Sequence, residues 1–190
     1  MSGARQTPSQ TVGPFFRPSL IAAGGENLVR EETRGDRIAI EGRVIDGDGA
    51  PVTDAMLEIW QANAEGRYDH PDDEQEKRLD PAFHGYGRTA TDTRGEFRFH
   101  TVKPGPVPGP DDAEQAPHIN VSIFARGLLK RLVTRIYFPD EPRNADDPIL
   151  NAVPSERRAT MIATWTDTTH RCMRFEVILQ GANETVFLDI

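Results

Sequence analysis

Gln115-Ala116-Pro117-His118-Ile119-Asn120-Val121-Ser122-Ile123-Phe124-Ala125 is the run on which the reading of this chain turns. Ile119, Val121, Ile123 and Ala125 alternate with His118, Asn120, Ser122 and Phe124, the period of two expected of a strand with one face in a core. A second alternating run, Leu132 to Phe138, follows it. His118 and Asn120 therefore project from one face. Two imidazoles at that spacing could converge on a metal ion, but the second residue here is an amide.

Working outward, the same alternation recurs. Ile38, Ile40 and Val44 alternate with Arg37, Glu41 and Arg43, before a turn at Asp46-Gly47-Asp48-Gly49. Ala55 to Gln61 is a mostly apolar run bearing Trp60; Gly87 to Asp92 leads into the turn Asp92-Thr93-Arg94-Gly95; Phe97, Phe99 and Thr101 alternate with Arg98, His100 and Val102. Lys103 to Pro110 is a proline-stiffened loop, and Arg174–Leu179 and Thr185–Ile190 complete the predicted strands. One segment reads as helical, Glu156 to about Ile162, with Pro154-Ser155 at its start as the N-cap. Short strands between Gly/Pro turns, without crossover helices, predict an all-β fold: a single sandwich of mixed or antiparallel strands over residues 37–190.

Residues 1–36 are predicted to form an extended N-terminal arm. Met1 to about Gln6 is expected to be a disordered leader. In Thr7-Pro8-Ser9-Gln10-Thr11-Val12-Gly13-Pro14-Phe15-Phe16-Arg17-Pro18, three prolines and a glycine argue against helix or central strand. Val12, Phe15 and Phe16 are costly to leave in water, so the arm is expected to dock on its own domain or on a partner.

The 190 residues suffice for one core, and the formal charge of −8 supplies no cationic face for nucleic acid. The single Cys172 forms no intrachain disulfide and reads as a small buried hydrophobe. No apolar run approaches the ~20 residues that span a bilayer, and no secretory signal is evident, so a cytoplasmic location is expected. Phosphate loops, zinc patterns and nucleophile elbows are missing. Tyr68 and His118 are the residues that could act as ligands. His84, His100 and His170 lack partners at metal-ligand spacing and read as structural or surface groups. The acidic run Asp72-Asp73-Glu74-Gln75-Glu76 lacks calcium-loop spacing and reads as a solvated loop.

Several stretches together resemble the intradiol ring-cleavage dioxygenases. They are Thr7 to Phe15, Glu58-Ile59-Trp60-Gln61-Ala62-Asn63 with Gly66-Arg67-Tyr68, Gly87 to Asp92, Thr101 to Gly105, and Ala116-Pro117-His118-Ile119-Asn120. The ordered set spans nearly the whole chain. Catalytic chains of that family hold Fe(III) with two tyrosinates and two histidines, hard phenolate oxygens offsetting the ion's charge. By the resemblance, the first tyrosine falls on Tyr68 and the first histidine on His118. The second tyrosine falls on Val107, the second histidine on Asn120, and a catalytic arginine on Gln115. With those donors missing, the resemblance implies no metal and no catalytic residue in this chain alone. It implies instead the non-metal α chain of a heteromer of several α–β pairs, whose β chain carries Fe(III). Such an enzyme cleaves 3,4-dihydroxybenzoate with O2 to 3-carboxy-cis,cis-muconate in aromatic degradation. The α chain's arm lines the shared pocket, which carries over to Thr11, Gly13 and Pro14, and Arg126 offers a guanidinium to a carboxylated catechol.

Two other readings remain open. A stand-alone sandwich module that binds sugars or proteins has the same strand pattern, because one fold hosts many functions. A homodimeric catechol or hydroxyquinol dioxygenase would need a helical N-terminal region that nothing before Arg37 predicts.

Overall fold

In the computed structural model, residues 7–110 and 113–189 are described. Eleven strands form among them: β1 (Arg37–Ile45), β2 (Met56–Trp60), β3 (Tyr86–Ala90), β4 (Glu96–Val102), β5 (Val107–Pro108), β6 (Glu114–Gln115), β7 (His118–Phe124), β8 (Leu132–Tyr137), β9 (Thr164–Asp167), β10 (Cys172–Arg174) and β11 (Val177–Ile178). One sheet runs β3-β2-β7-β8, antiparallel throughout. The other is mixed: β1 pairs antiparallel with β4 on one edge and parallel with β10 and then β11 on the other, and β9 lies outside β10. A sandwich with mixed strands is therefore formed, as the alternation predicts.

The core is the inner face of each sheet. Ile38, Ile40, Val44, Phe97 and Phe99 come from one; Leu57, Ile59, Ile119, Val121, Ile123 and Ile136 come from the other. Burying each such side chain stabilises the fold by roughly 1.5–3 kcal/mol before entropy is counted. The outer face of β7 is only partly covered, leaving Asn120, Ser122 and Phe124 half-buried. A second, smaller apolar cluster of Tyr137, Leu150, Val153 and Met161 packs against the His118 end of the β7–β8 pair.

Several local expectations give way. The arm is not wholly extended, because Phe16–Leu20 forms the short helix α1 with Pro18 inside it. The helix is a single turn: Ser19 N donates to Phe15 O at 3.0 Å, and the N–H that Pro18 lacks would have had no intrahelical acceptor. Phe16 docks on Phe124 at 5.5 Å between ring centroids, whereas Phe15 stays 78% exposed. The helix expected over 156–162 shrinks to a 3-10 turn at Arg158–Met161, and its N-cap is Arg157 without any side-chain cap bond. The chain must be extended again by Ile162 to bridge Tyr137, which leaves no room for a second turn. A helix does form elsewhere, α2 (Pro148–Ala152), whose N-cap is Asp147.

The C-terminal strands are also interrupted. Between β10 and β11, Phe175 N reaches Glu41 O at 2.8 Å, so both short strands stay on β1. Residues 185–189 form no strand; Leu188 N donates to Val133 O and Thr134 Oγ1 to Val186 O, so isolated bonds cover the β8 edge. Cys172 is half-buried rather than buried. Within the first 36 residues, Leu28 N donates to His100 O and Leu28 enters the core. The expected leader over residues 1–6 lies outside the described residues. No described helix is long and apolar enough to cross a membrane.

Candidate functional site

Cross-strand register assembles the site. On the outer face of the β3-β2-β7-β8 sheet, His118 stands opposite Tyr137, and Asn120 stands between Trp60 on β2 and Arg135 on β8. Loops close over them. Tyr68 stacks on Trp60 at 5.7 Å and 16°, and the β5–β6 pair brings Val107 opposite Gln115. The result is a solvent-open cavity of about 640 Å³ whose lining includes Tyr68, Val107, Gln115, His118 and Arg135. Asn120 is not part of the lining but holds Arg135, its Oδ1 accepting from Nε at 3.1 Å. The five positions matched to ligands or catalytic arginine, which the sequence separates by up to 52 residues (68 to 120), thus meet at one place.

Arg135 is the residue that sequence reasoning missed. Its Nη1 donates to Gln115 Oε1 at 2.6 Å and approaches the Tyr137 hydroxyl at 3.5 Å. Its signal was present as a charge in the middle of the otherwise apolar alternation from Leu132 to Phe138. Behind it sits Asp147, fully buried. Asp147 Oδ1 accepts from the Tyr137 hydroxyl at 2.9 Å and from Ile149 N and Leu150 N; Oδ2 accepts from Ala116 N at 2.8 Å. One carboxylate thereby fixes α2, β8 and the entry to β7.

The electrostatics follow from burial. His118 is 3% exposed, and its Nδ1–H donates to Ala116 O at 2.8 Å. Desolvation, with the Arg135 charge adding to it, lowers its pKa to about 4, so the imidazole is neutral at pH 7. Burial raises the Tyr68 phenol above its usual value, with Arg135 and the Asn120 amide opposing. Burial likewise raises Tyr137. A testable consequence concerns His118. Unfolded, the imidazole takes a proton near pH 6.5; folded, only near pH 4. Its contribution is complete above about pH 6.5 and is lost as the pH falls towards 4, amounting to about 3 kcal/mol. Urea unfolding at pH 7 and pH 4.5 should show a smaller acid loss for His118→Gln than for the unmodified chain. Equal losses would contradict the assignment.

These residues do not fit a ferric ion. Of the four matched positions, valine donates nothing, and the Asn120 oxygen is already engaged by a cation. A guanidinium among the would-be donors opposes a trivalent ion directly. His84 is paired with Asp69 at 2.5 Å and His170 with Asp167 at 2.6 Å, each on the surface.

Thr11, Gly13, Pro14 and Arg126 also come together, but elsewhere. Thr11 Oγ1 accepts from Gly127 N at 2.7 Å, and Gly13, Pro14 and Arg126 border a recess of about 250 Å³. The exposed Arg126 guanidinium pairs with Asp54, a partner that the sequence did not suggest.

The sequence profile of the dioxygenase family matches residues 12–181. The chain is 41% identical over 204 residues to the protocatechuate 3,4-dioxygenase alpha chain of Burkholderia cepacia, covering 100% of both. It is also 41% identical to the beta chain from that organism, over 168 residues, covering 84% of this chain and 72% of the relative. Among solved structures, the dioxygenase domain of a carbohydrate-binding fusion from Streptomyces sp. SirexAA-E superposes with a TM-score of 0.64 at 26% identity, covering 96% of both chains.

Proposed function

Since this chain belongs to the intradiol dioxygenase family, we propose that it is the α-type subunit of a two-chain enzyme that cleaves 3,4-dihydroxybenzoate with O2 between its vicinal hydroxyls. Identity alone leaves the subunit type open, being 41% to both kinds of chain. The match to the alpha chain covers both partners fully, and the site chemistry points the same way. The observation that carries the reading is the Arg135 guanidinium bonded to Asn120 and Gln115 where donors to a metal would be needed. Iron is therefore assigned to a homologous β-type partner, which supplies the redox chemistry when paired.

This chain's own share is to bind and orient. The arm segment Thr11–Pro14 is anchored at its base by Thr11 to Gly127 and presents stiff backbone beside Arg126. In the pair, that segment walls the partner's site, and Arg126 adds positive potential for the substrate carboxylate. Asp54 holds Arg126 in the free chain, so the arginine is positioned before a partner arrives. The exposed Phe15 sits on the same arm and offers apolar surface to the partner.

The test is to express the chain with and without a β-type chain. The pair should take up oxygen with 3,4-dihydroxybenzoate and show tyrosinate-to-iron colour, whereas this chain alone should be colourless and inactive. In the pair, Arg126→Met should lower kcat/KM by about 10- to 100-fold, the loss expected when a charged contact worth roughly 1.5–3 kcal/mol is removed. Turnover by this chain alone would refute the reading.

A further inference from the structure

We propose that the cavity over β7 and β8 is a metal-free binding site for a small aromatic carboxylate, with the Arg135 guanidinium taking the carboxylate. Its partners are neutral: the Asn120 and Gln115 amides and the Tyr137 hydroxyl. Among the described residues no carboxylate lies within ion-pair distance of Arg135, and its Nη2 has no hydrogen-bond partner. The nearest acid in its network, Asp147, is reached only through Tyr137 and already accepts from three backbone N–H groups. A guanidinium that lines an open cavity with no described carboxylate against it is an anion site whose planar fork suits a carboxylate.

The walls specify the rest of the ligand. Trp60 and Tyr68 offer a stacked aromatic pair, and Val107 supplies an apolar edge. His118 commits Nδ1–H to Ala116, which leaves Nε2 as an acceptor for a ring hydroxyl. At about 640 Å³ the cavity lies within the range of roughly 300–1,000 Å³ of small-molecule sites. Asp72, Asp73 and Glu74 also border it and would repel an anion at the mouth. Asp73, however, is turned into its own loop, accepting from Tyr68 N at 2.7 Å and Gln75 N at 3.0 Å, and Asp72 is exposed beside His70. At Tyr68, the favourable influence of Arg135 exceeds the unfavourable one of Asp73.

This inference needs neither the partner nor its iron, so the full chain by itself is titrated calorimetrically with benzoate and with acetate at fixed ionic strength. One benzoate per chain is expected, with acetate at least 10-fold weaker because it cannot use the aromatic wall. Arg135→Met should weaken benzoate at least 10-fold. Gln115→Glu leaves the guanidinium in place but sets a carboxylate against Nη1, and should give the same loss while keeping or raising thermal stability. Absence of saturable benzoate binding overturns the proposal, as does undiminished binding by Gln115→Glu or equal affinity for the two acids. None of those outcomes bears on activity of the two-chain enzyme.

Discussion

Asp147→Ala is expected to lower the unfolding free energy by about 4 kcal/mol, read as a shift of the urea midpoint at pH 7 with the slope unchanged. Asp147 has no exposed surface, and its two oxygens serve four donors. Alanine would strand the Tyr137 hydroxyl and Ala116 N in a site that water does not reach, at roughly 1–3 kcal/mol each. It would also remove the cap of α2, worth roughly 1 kcal/mol. Asp147→Asn retains an acceptor for part of this set and should cost about half as much. Because Tyr137 and Ala116 flank the cavity, loss of Asp147 should also loosen His118, whose Nδ1 relies on the Ala116 carbonyl. A change below 1 kcal/mol for Asp147→Ala would mean that these bonds are replaced elsewhere.

The second large effect is expected at Gly66. Its φ of +83° lies in the left-handed region, and a Cβ there would run into the Pro106 carbonyl. Left-handed backbone costs a non-glycine residue about 1–2 kcal/mol, and relieving the overlap costs a further 1–3. Gly66→Ala should therefore destabilise by roughly 2–5 kcal/mol. The overlap also has a direction. Pro106 precedes Val107, and Lys77 Nζ donates to the Pro106 carbonyl at 2.7 Å. Gly66 lies two residues before Tyr68, so any adjustment moves the Tyr68 loop and the β5 wall apart. Thermal melting gives the stability, and the Trp60 emission, with Tyr68 stacked on it, reports the opening. An unchanged melting temperature and spectrum would show that the two loops are not locked together.

Much of the fold was legible because its signal is periodic. Alternation placed β1, β4, β7 and β8, an apolar run marked β2, and the apolar residues that alternation set inward in β1, β4 and β7 are buried. What it could not reveal were single-turn elements. α1 is five residues long and contains a proline, and the 158–161 turn is too short to express a helical period. The break between β10 and β11 was equally hidden, because Phe175 and Val177 keep the alternation through the interruption and both are buried. At the candidate site, the missing donors were readable letter by letter at Val107, Gln115 and Asn120. Arg135 was not, because its importance comes from standing opposite Asn120 across the β7–β8 ladder. Asp147 was missed for a related reason: it lies in a loop, far in sequence from the hydroxyl and amide that it holds.

Arg135 also explains why restoring ligands alone should fail. Val107→Tyr with Asn120→His would supply the missing donors, yet the second change removes one of the guanidinium's two amide acceptors and leaves its charge among them. On that reading the obstacle to iron lies in the strand beside the site as well as at the matched ligand positions.

The most direct test is the iron content of this chain purified by itself after expression in iron-supplemented medium, beside the same measurement on the chain paired with a β-type partner. The account predicts well under 0.1 iron per chain for the first and about one per pair for the second, as a donor set half replaced and facing a guanidinium requires. One tightly held ferric ion per chain in the unpaired protein, lost on substitution of Tyr68 or His118, would contradict it.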